Sequence, residues 1–129
     1  MILDTSFLID LIKNKENAFQ KAKILDNSSP PLRTTSISIF ELRQGIEDIN
    51  ESKKKEKIEQ LLNALGLLNF DLESAKIAGT IFAELERKGE IIEAEDCMIA
   101  GIAIHHNEPI LTRNSKHFQR IKGLKLETY

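Results

Sequence analysis

Apolar positions in this chain follow two periods in turn. Residues 1–3 are a continuous apolar run that suits a buried strand, and Thr5 or Ser6 can cap a helix continuing through Leu8, Leu11 and Ile12. Ala18, Ala22 and Leu25 recur at helical spacing and predict a second helix over 16–25, which Asn27, Ser28, Ser29, Pro30 and Pro31 break. Residues 32–35 return as a second strand. Ser38 opens a helix whose stripe is Ile39, Leu42, Ile46 and Ile49. Ile58, Leu61, Leu62 and Leu65 mark another after Asn50, and the two are expected to pair. After a short strand over 67–70, Ala75, Ala78, Phe82 and Leu85 keep the 3, 4, 3 spacing of a buried helical face. Gly79 costs that helix ~1 kcal/mol against alanine unless close packing uses it. Glu95 opens a helix ending near His106, where Asn107 and Pro109 are stop signals. Residues 109–112 read as a strand, followed by a short turn or helix and a last extended stretch over 124–127.

Strands alternating with helices predict an α/β three-layer sandwich around a small, mostly parallel sheet of about five strands, in one domain spanning 1–129. Ligands in such folds sit beyond the carboxyl ends of the strands. A chain of 129 residues can bury a real core without staples. No apolar run approaches the ~20 residues needed to cross a bilayer. Asp4 and Asp10 interrupt the opening apolar stretch, which therefore reads as folded structure rather than a targeting segment. The expectation is a soluble, cytoplasmic protein. Its single cysteine, Cys97, excludes an internal disulfide and is expected to act as a small buried hydrophobe. A formal net charge of -2 gives no global attraction to nucleic acid, so a phosphate partner needs a local basic patch or bound cations.

Three acids stand where a strand or cap hands over to a helix. Asp4 would point to the carboxyl edge of the sheet, or simply favour the adjacent helix dipole. Glu41 completes an S-x-x-E capping box with Ser38, yet Gly45, one turn on, would leave open space beside it. Asp96 lies above Ile99, Ala100 and Ala103, an inward-packing face where a lone carboxylate would be costly to bury. Glu95, about 100° around the helix, reads as solvent-facing or capping. Were the three acids to converge, their repulsion would raise at least one pKa unless a divalent cation neutralised them. Oxygen-only ligands favour Mg²⁺ or Mn²⁺ over Zn²⁺.

The segments MILDTSFLIDL, SISIFELRQG, EAEDCMIAGIAI and PILTRNSKHF, followed by IKGLKLE, together resemble the PIN-domain ribonucleases, specifically the VapC-like toxins of toxin–antitoxin modules. The resemblance spans nearly the whole chain in family order. It implies a small parallel sheet between helices and endonucleolytic cleavage of RNA by metal-activated water. It makes Asp4, Glu41 and Asp96 the metal-site acids and puts Asn114 at a fourth position that is often aspartate in the family. A neutral amide there makes one well-held metal the expectation, with a second dependent on substrate phosphate. Thr112 and Ser6 match hydroxyl positions near such sites, although strand-end and N-cap roles fit them equally. A homodimer and a cognate antitoxin are implied as well.

Arg113, Lys116, His117 and Arg120 could hold RNA phosphates, or form a solvated face. Lys53, Lys54, Lys55 and Lys57 read as a helix's solvent face. His105 and His106 end a helix and lack HExxH spacing. Aromatic residues are only 5% of the chain, which argues against a base-stacking platform. Two rivals are a haloacid-dehalogenase-like phosphatase, which needs an aspartate where Ser6 stands, and a catalytically weak PIN domain that only binds RNA or protein.

Overall fold

The computed structural model describes residues 1–28, 31–46 and 51–129. Five short strands, β1 (Ile2–Leu3), β2 (Arg33–Thr35), β3 (Gly66–Leu68), β4 (Ile110–Leu111) and β5 (Leu126–Glu127), form one sheet in the order β3-β2-β1-β4-β5. Every pairing is parallel. Among the described residues the connections carry seven helices: α1 (Thr5–Ile12), α2 (Glu16–Ser28), α3 (Ser36–Ile46), α4 (Ser52–Asn63), α5 (Leu72–Arg87), α6 (Ala94–His105) and α7 (Ser115–Phe118). The chain winds outward from β1 through β2 to β3, then restarts on the other side of β1 with β4. The reversal opens a crevice at the carboxyl ends of β1 and β4.

The two central strands are only two residues long, and their alternation builds both cores. Ile2 and Ile110 join α5, α6 and α7 residues including Ile81, Leu85, Ile99, Ile102 and Phe118. Leu3 and Leu111 join Phe7, Leu8 and Ile12 of α1, Ala18 and Leu25 of α2, Leu42 of α3 and Ile58 of α4. This is the expected three-layer sandwich, with a sheet parallel throughout. Polar Thr34 is tolerated in β2 because its Oγ1 donates to the Leu3 carbonyl at 3.1 Å.

Helix ends follow local chemistry. Asn107 (φ 52°) takes the left-handed conformation one residue past His106, and its stop signal acts as expected. Cys97 is buried among apolar neighbours, and burial pushes its thiol up to about 11. The start of α3 departs from expectation. Its first helical residue is Ser36, and Thr35 Oγ1 accepts from the Ser38 backbone N–H at 3.0 Å. Thr35 therefore caps the helix, and Ser38 with Glu41 forms no capping box. Glu41 is thereby released inside the helix to face another partner. Of the stripes expected for α3 and the break after α2, Ile49, Asn50, Ser29 and Pro30 lie outside the described residues.

Helices α3 and α4 are joined by the Arg43–Glu59 ion pair, and their residues Glu41, Leu42, Gly45, Lys54 and Ile58 line a cavity of about 250 Å³ beside α1. A Cβ on Gly45 would meet nothing within 4 Å, so the open space exists but glycine does not create it. The tight approach is between α5 and α6. It uses Gly101, where a Cβ would lie 2.5 Å from the Ser74 carbonyl oxygen and 3.0 Å from the Ala78 Cβ, whereas Gly79 has nothing within 4 Å. Urea unfolding is expected to separate the two glycines. Gly101→Ala should destabilise by about 1–3 kcal/mol through overpacking, and Gly79→Ala should stabilise by about 0.5–1 kcal/mol through helix propensity. Equal midpoints for both variants would contradict this packing.

Candidate active site

Asp4 leaves β1 as the N-cap residue of α1, and its side chain makes no cap hydrogen bond. It is 2% exposed and reaches across the sheet edge instead. Its Oδ2 accepts from Ser6 Oγ at 2.9 Å and from Thr112 Oγ1 at 2.7 Å. Each hydroxyl proton is committed to that carboxylate, so the 3.3 Å separation of Ser6 Oγ and Thr112 Oγ1 is a contact between two oxygens rather than a third bond. The hydroxyls also accept, Ser6 from the Arg113 backbone N–H at 3.1 Å and Thr112 from that of Asn114 at 2.9 Å. Burial raises the Asp4 pKa, and the hydrogen bonds it accepts from the Thr112 and Ser6 hydroxyls work against that rise.

Glu41, released from capping, accepts from Thr5 Oγ1 at 2.8 Å. Its pKa is raised by burial, opposed by Thr5, and raised again by the charges of Asp4, Asp96 and Glu95. Asp96 occupies the first turn of α6 with His117 Nδ1 3.5 Å from its Oδ2. Burial and the Asp4 charge push it up to about 6, and His117 acts in the opposite direction. Burial is the largest cause for all three acids, and Glu41 and Asp96 also feel neighbouring carboxylate charge. Asp4, Glu41 and Asp96 line one pocket of about 130 Å³ with Thr5, Ser6, Ile9, Arg113 and Asn114.

The predicted residues therefore divide. Asp4, Glu41, Asp96, Asn114 and Ser6 line the pocket, and Thr112 supports Asp4 from behind it. Asn114 is exposed at the start of α7, and its side chain makes no cap bond. Of the basic residues, Arg113 lines the pocket and pairs with Asp10, whereas His117 pairs with Asp96. Lys116 is exposed, and Arg120 donates to the carbonyls of Glu90 and Ile91 ahead of α6. Glu95 is half-buried, and its charge bears on Glu41, so it belongs closer to the acids than a solvent-facing reading allows. Sequence reasoning missed Thr5, whose hydroxyl holds Glu41, and Asp10, whose partners lie 103 and 119 residues away.

Among the described residues, Asp71, His105 and His106 are the group of three metal-ligating side chains whose ligand atoms all lie within 4.8 Å of one another. All are exposed helix-end residues. Asp71 caps α5 by accepting from the Ser74 N–H, and His105 sits 3.6 Å from its other oxygen at the end of α6. The pocket acids are less tightly drawn, so an ion there would reach some of them through water.

A buried aspartate at the switch point of a parallel sheet, ringed by two further acids and an asparagine, defines a PIN domain, and the PIN domain family matches residues 1–124. The chain belongs to that family, within its VapC ribonuclease toxins. It is 33% identical over 129 residues to the tRNA(fMet)-specific endonuclease VapC of Salmonella typhimurium, covering 99% of this chain and 96% of the relative. It is 37% identical over 102 residues to ribonuclease VapC3 of Methanocaldococcus jannaschii, covering 78% and 95% respectively. The solved VapBC2 of Rickettsia felis, bound to a fragment of its promoter DNA, superposes with TM-score 0.88 at 28% identity, over 99% of this chain and 97% of that one. Membership of this family excludes the phosphatase rival.

Asp96 gives the metal-free protein a distinctive pH response. Its folded-state value is raised from 3.8 to about 6, so the folded chain keeps a proton that the unfolded chain has released. Its contribution favours folding at low pH and is lost as pH rises through about 4 to 6. Asp4 and Glu41, also raised, act in the same sense. Asp96→Asn is expected to be more stable than the parent at pH 8 in chelator, with the gain shrinking toward pH 4. Denaturation curves at the two pH values measure it, and a variant less stable at pH 8 would show that Asp96 is not strained by its neighbours.

Proposed function

We propose that residues 1–129 act as one PIN-like nuclease domain, a metal-dependent endoribonuclease in which Asp4, Glu41 and Asp96 hold Mg²⁺ or Mn²⁺. The observation that carries this reading is the single pocket lined by all three acids, each with a raised pKa. The donor set fits the ion: it is all oxygen, rich in negative charge, and spaced loosely enough to leave water in the coordination sphere, as Mg²⁺ prefers. Nucleases of this family are metal-dependent, and the ion supplies an activated water and charge stabilisation for the leaving oxygen.

The protein groups have separable tasks. Ser6 and Thr112 fix the Asp4 carboxylate, and Thr5 fixes Glu41, so that neither has to reorganise when a cation arrives. His117, 3.5 Å from Asp96, offsets part of that carboxylate's charge when protonated. Asn114 offers an amide at the pocket wall without a fourth charge, which favours one tightly held ion. Arg113 and Lys116 are the candidates for RNA phosphates, with His117 beside them. The Salmonella relative's named target makes transfer RNA the first substrate class to test. The VapBC complexes support a cognate antitoxin as the partner, while a homodimer rests on the family resemblance alone.

The test incubates purified protein with structured RNAs, including transfer RNAs, in Mg²⁺ or Mn²⁺. Cleavage should disappear with EDTA, fall by about two orders of magnitude or more in Asp4→Asn, and fall by about 10- to 100-fold in Thr112→Val. Cleavage that survives both EDTA and Asp4→Asn would overturn the mechanism. RNA binding without cleavage in either metal would favour the binding-module reading, which the neutral Asn114 keeps open.

A further inference from the structure

Residue 113 is gripped at both ends by one face of α1. Ser6 and Asp10 lie one turn apart on that helix. Ser6 Oγ takes the Arg113 backbone N–H at 3.1 Å, and Asp10 Oδ1 takes its guanidinium Nη1 at 2.5 Å. The other oxygen of Asp10 accepts from the Tyr129 hydroxyl at 2.7 Å. Tyr129 is itself fixed by an edge-on contact with Phe7, with ring centroids 4.8 Å apart. Asp10 is 3% exposed, so its charge sits where only fixed partners can satisfy it. The Arg113 side chain, by contrast, is 54% exposed and lines the acidic pocket.

An arginine beside three carboxylates is a hazard as well as an asset. A free guanidinium would be drawn onto Asp4, Glu41 or Asp96 and would compete with the cation they are to hold. Asp10 offers it a fourth carboxylate outside the pocket's wall, buried and already oriented by Tyr129. Tethered through one nitrogen, the planar guanidinium keeps its remaining N–H donors, the geometry that suits a phosphate.

Resting on the nuclease reading above, we propose that Asp10 is a positioning residue: it holds the Arg113 guanidinium at the wall of the acidic pocket, out of the cation's position and open to a phosphate of the bound RNA. Sequence alone points elsewhere, since the one charged neighbour of Asp10 at i±3 or i±4 is Lys13, and nothing in residue order links Asp10 to Arg113.

The experiment is a double-mutant cycle read on two quantities, Mn²⁺ affinity by calorimetry without RNA and kcat/KM for RNA cleavage. Asp10→Asn, which keeps the shape and loses the charge, should weaken Mn²⁺ binding by about five- to tenfold because the released arginine competes for the acids. Arg113→Gln should leave Mn²⁺ affinity at or above the parent's and lower kcat/KM by about tenfold. The double variant should recover the Mn²⁺ affinity of Arg113→Gln and cleave no worse than it. A double variant that binds Mn²⁺ as poorly as Asp10→Asn would overturn the proposal, because Asp10 would then act through the fold alone. So would parental cleavage by Arg113→Gln, a variant that keeps the buried Asp10–Tyr129 bond and tests the claim even if Asp10→Asn fails to fold. If the parent protein neither binds Mn²⁺ nor cleaves RNA, the nuclease reading fails instead, an outcome separate from either of these.

Discussion

A carboxylate at 2% exposure costs several kcal/mol to keep charged unless the protein replaces its lost water. Asp4 obtains that replacement from hydroxyls that flank it in space and lie on both sides of the sheet's switch point, Ser6 on its own helix and Thr112 beyond β4. The rest of the site follows from that arrangement. Because Ser6 and Thr112 each spend their proton on Asp4, their oxygens are left to accept the backbone N–H groups of Arg113 and Asn114. One buried charge thus dictates the path of the chain after β4, and with it the entry of the basic segment into the pocket.

The same constraint explains why the site is electrostatically uncomfortable. Asp4 is fixed, so Asp96 and Glu41 cannot relax away from it without unpacking the first turn of α6 or breaking the bond to Thr5. Gly101 adds to the rigidity, since it presses α6 against the Ser74 carbonyl and leaves that helix little freedom to slide. The protein holds its acids buried and within reach of one another's charge, an arrangement that a cation would make more favourable.

Much of this was legible from residue order. Apolar runs and 3.6-residue stripes located the strands and the longer helices, although the run at β3 marks an exposed edge strand rather than a buried one. Asp4 and Asp96 were legible by their placement at the end of β1 and the start of α6, whereas Glu41 lies inside α3 rather than at its cap. The register of α3 was not, because Thr35 and Ser38 are both good caps and only the end of β2 decides between them; the choice turned Glu41 from a capping acid into a pocket acid. Thr5, Asp10 and the position of Glu95 were also hidden. Their meaning comes from partners brought together by the sheet, and no spacing rule reaches across 103 residues to link Asp10 with Arg113. Gly79 and Gly101 teach a similar lesson, since the glycine that stands out by position is the one the packing ignores.

The bond between Thr112 and Asp4 joins residues 108 apart in the chain. Asp4 and its first partner Ser6 are translated together, yet the second hydroxyl, Thr112, and the backbone groups that follow it are added only after β4. A chain cut short before β4 carries Asp4, Glu41 and Asp96 but has nothing to close the switch point around them.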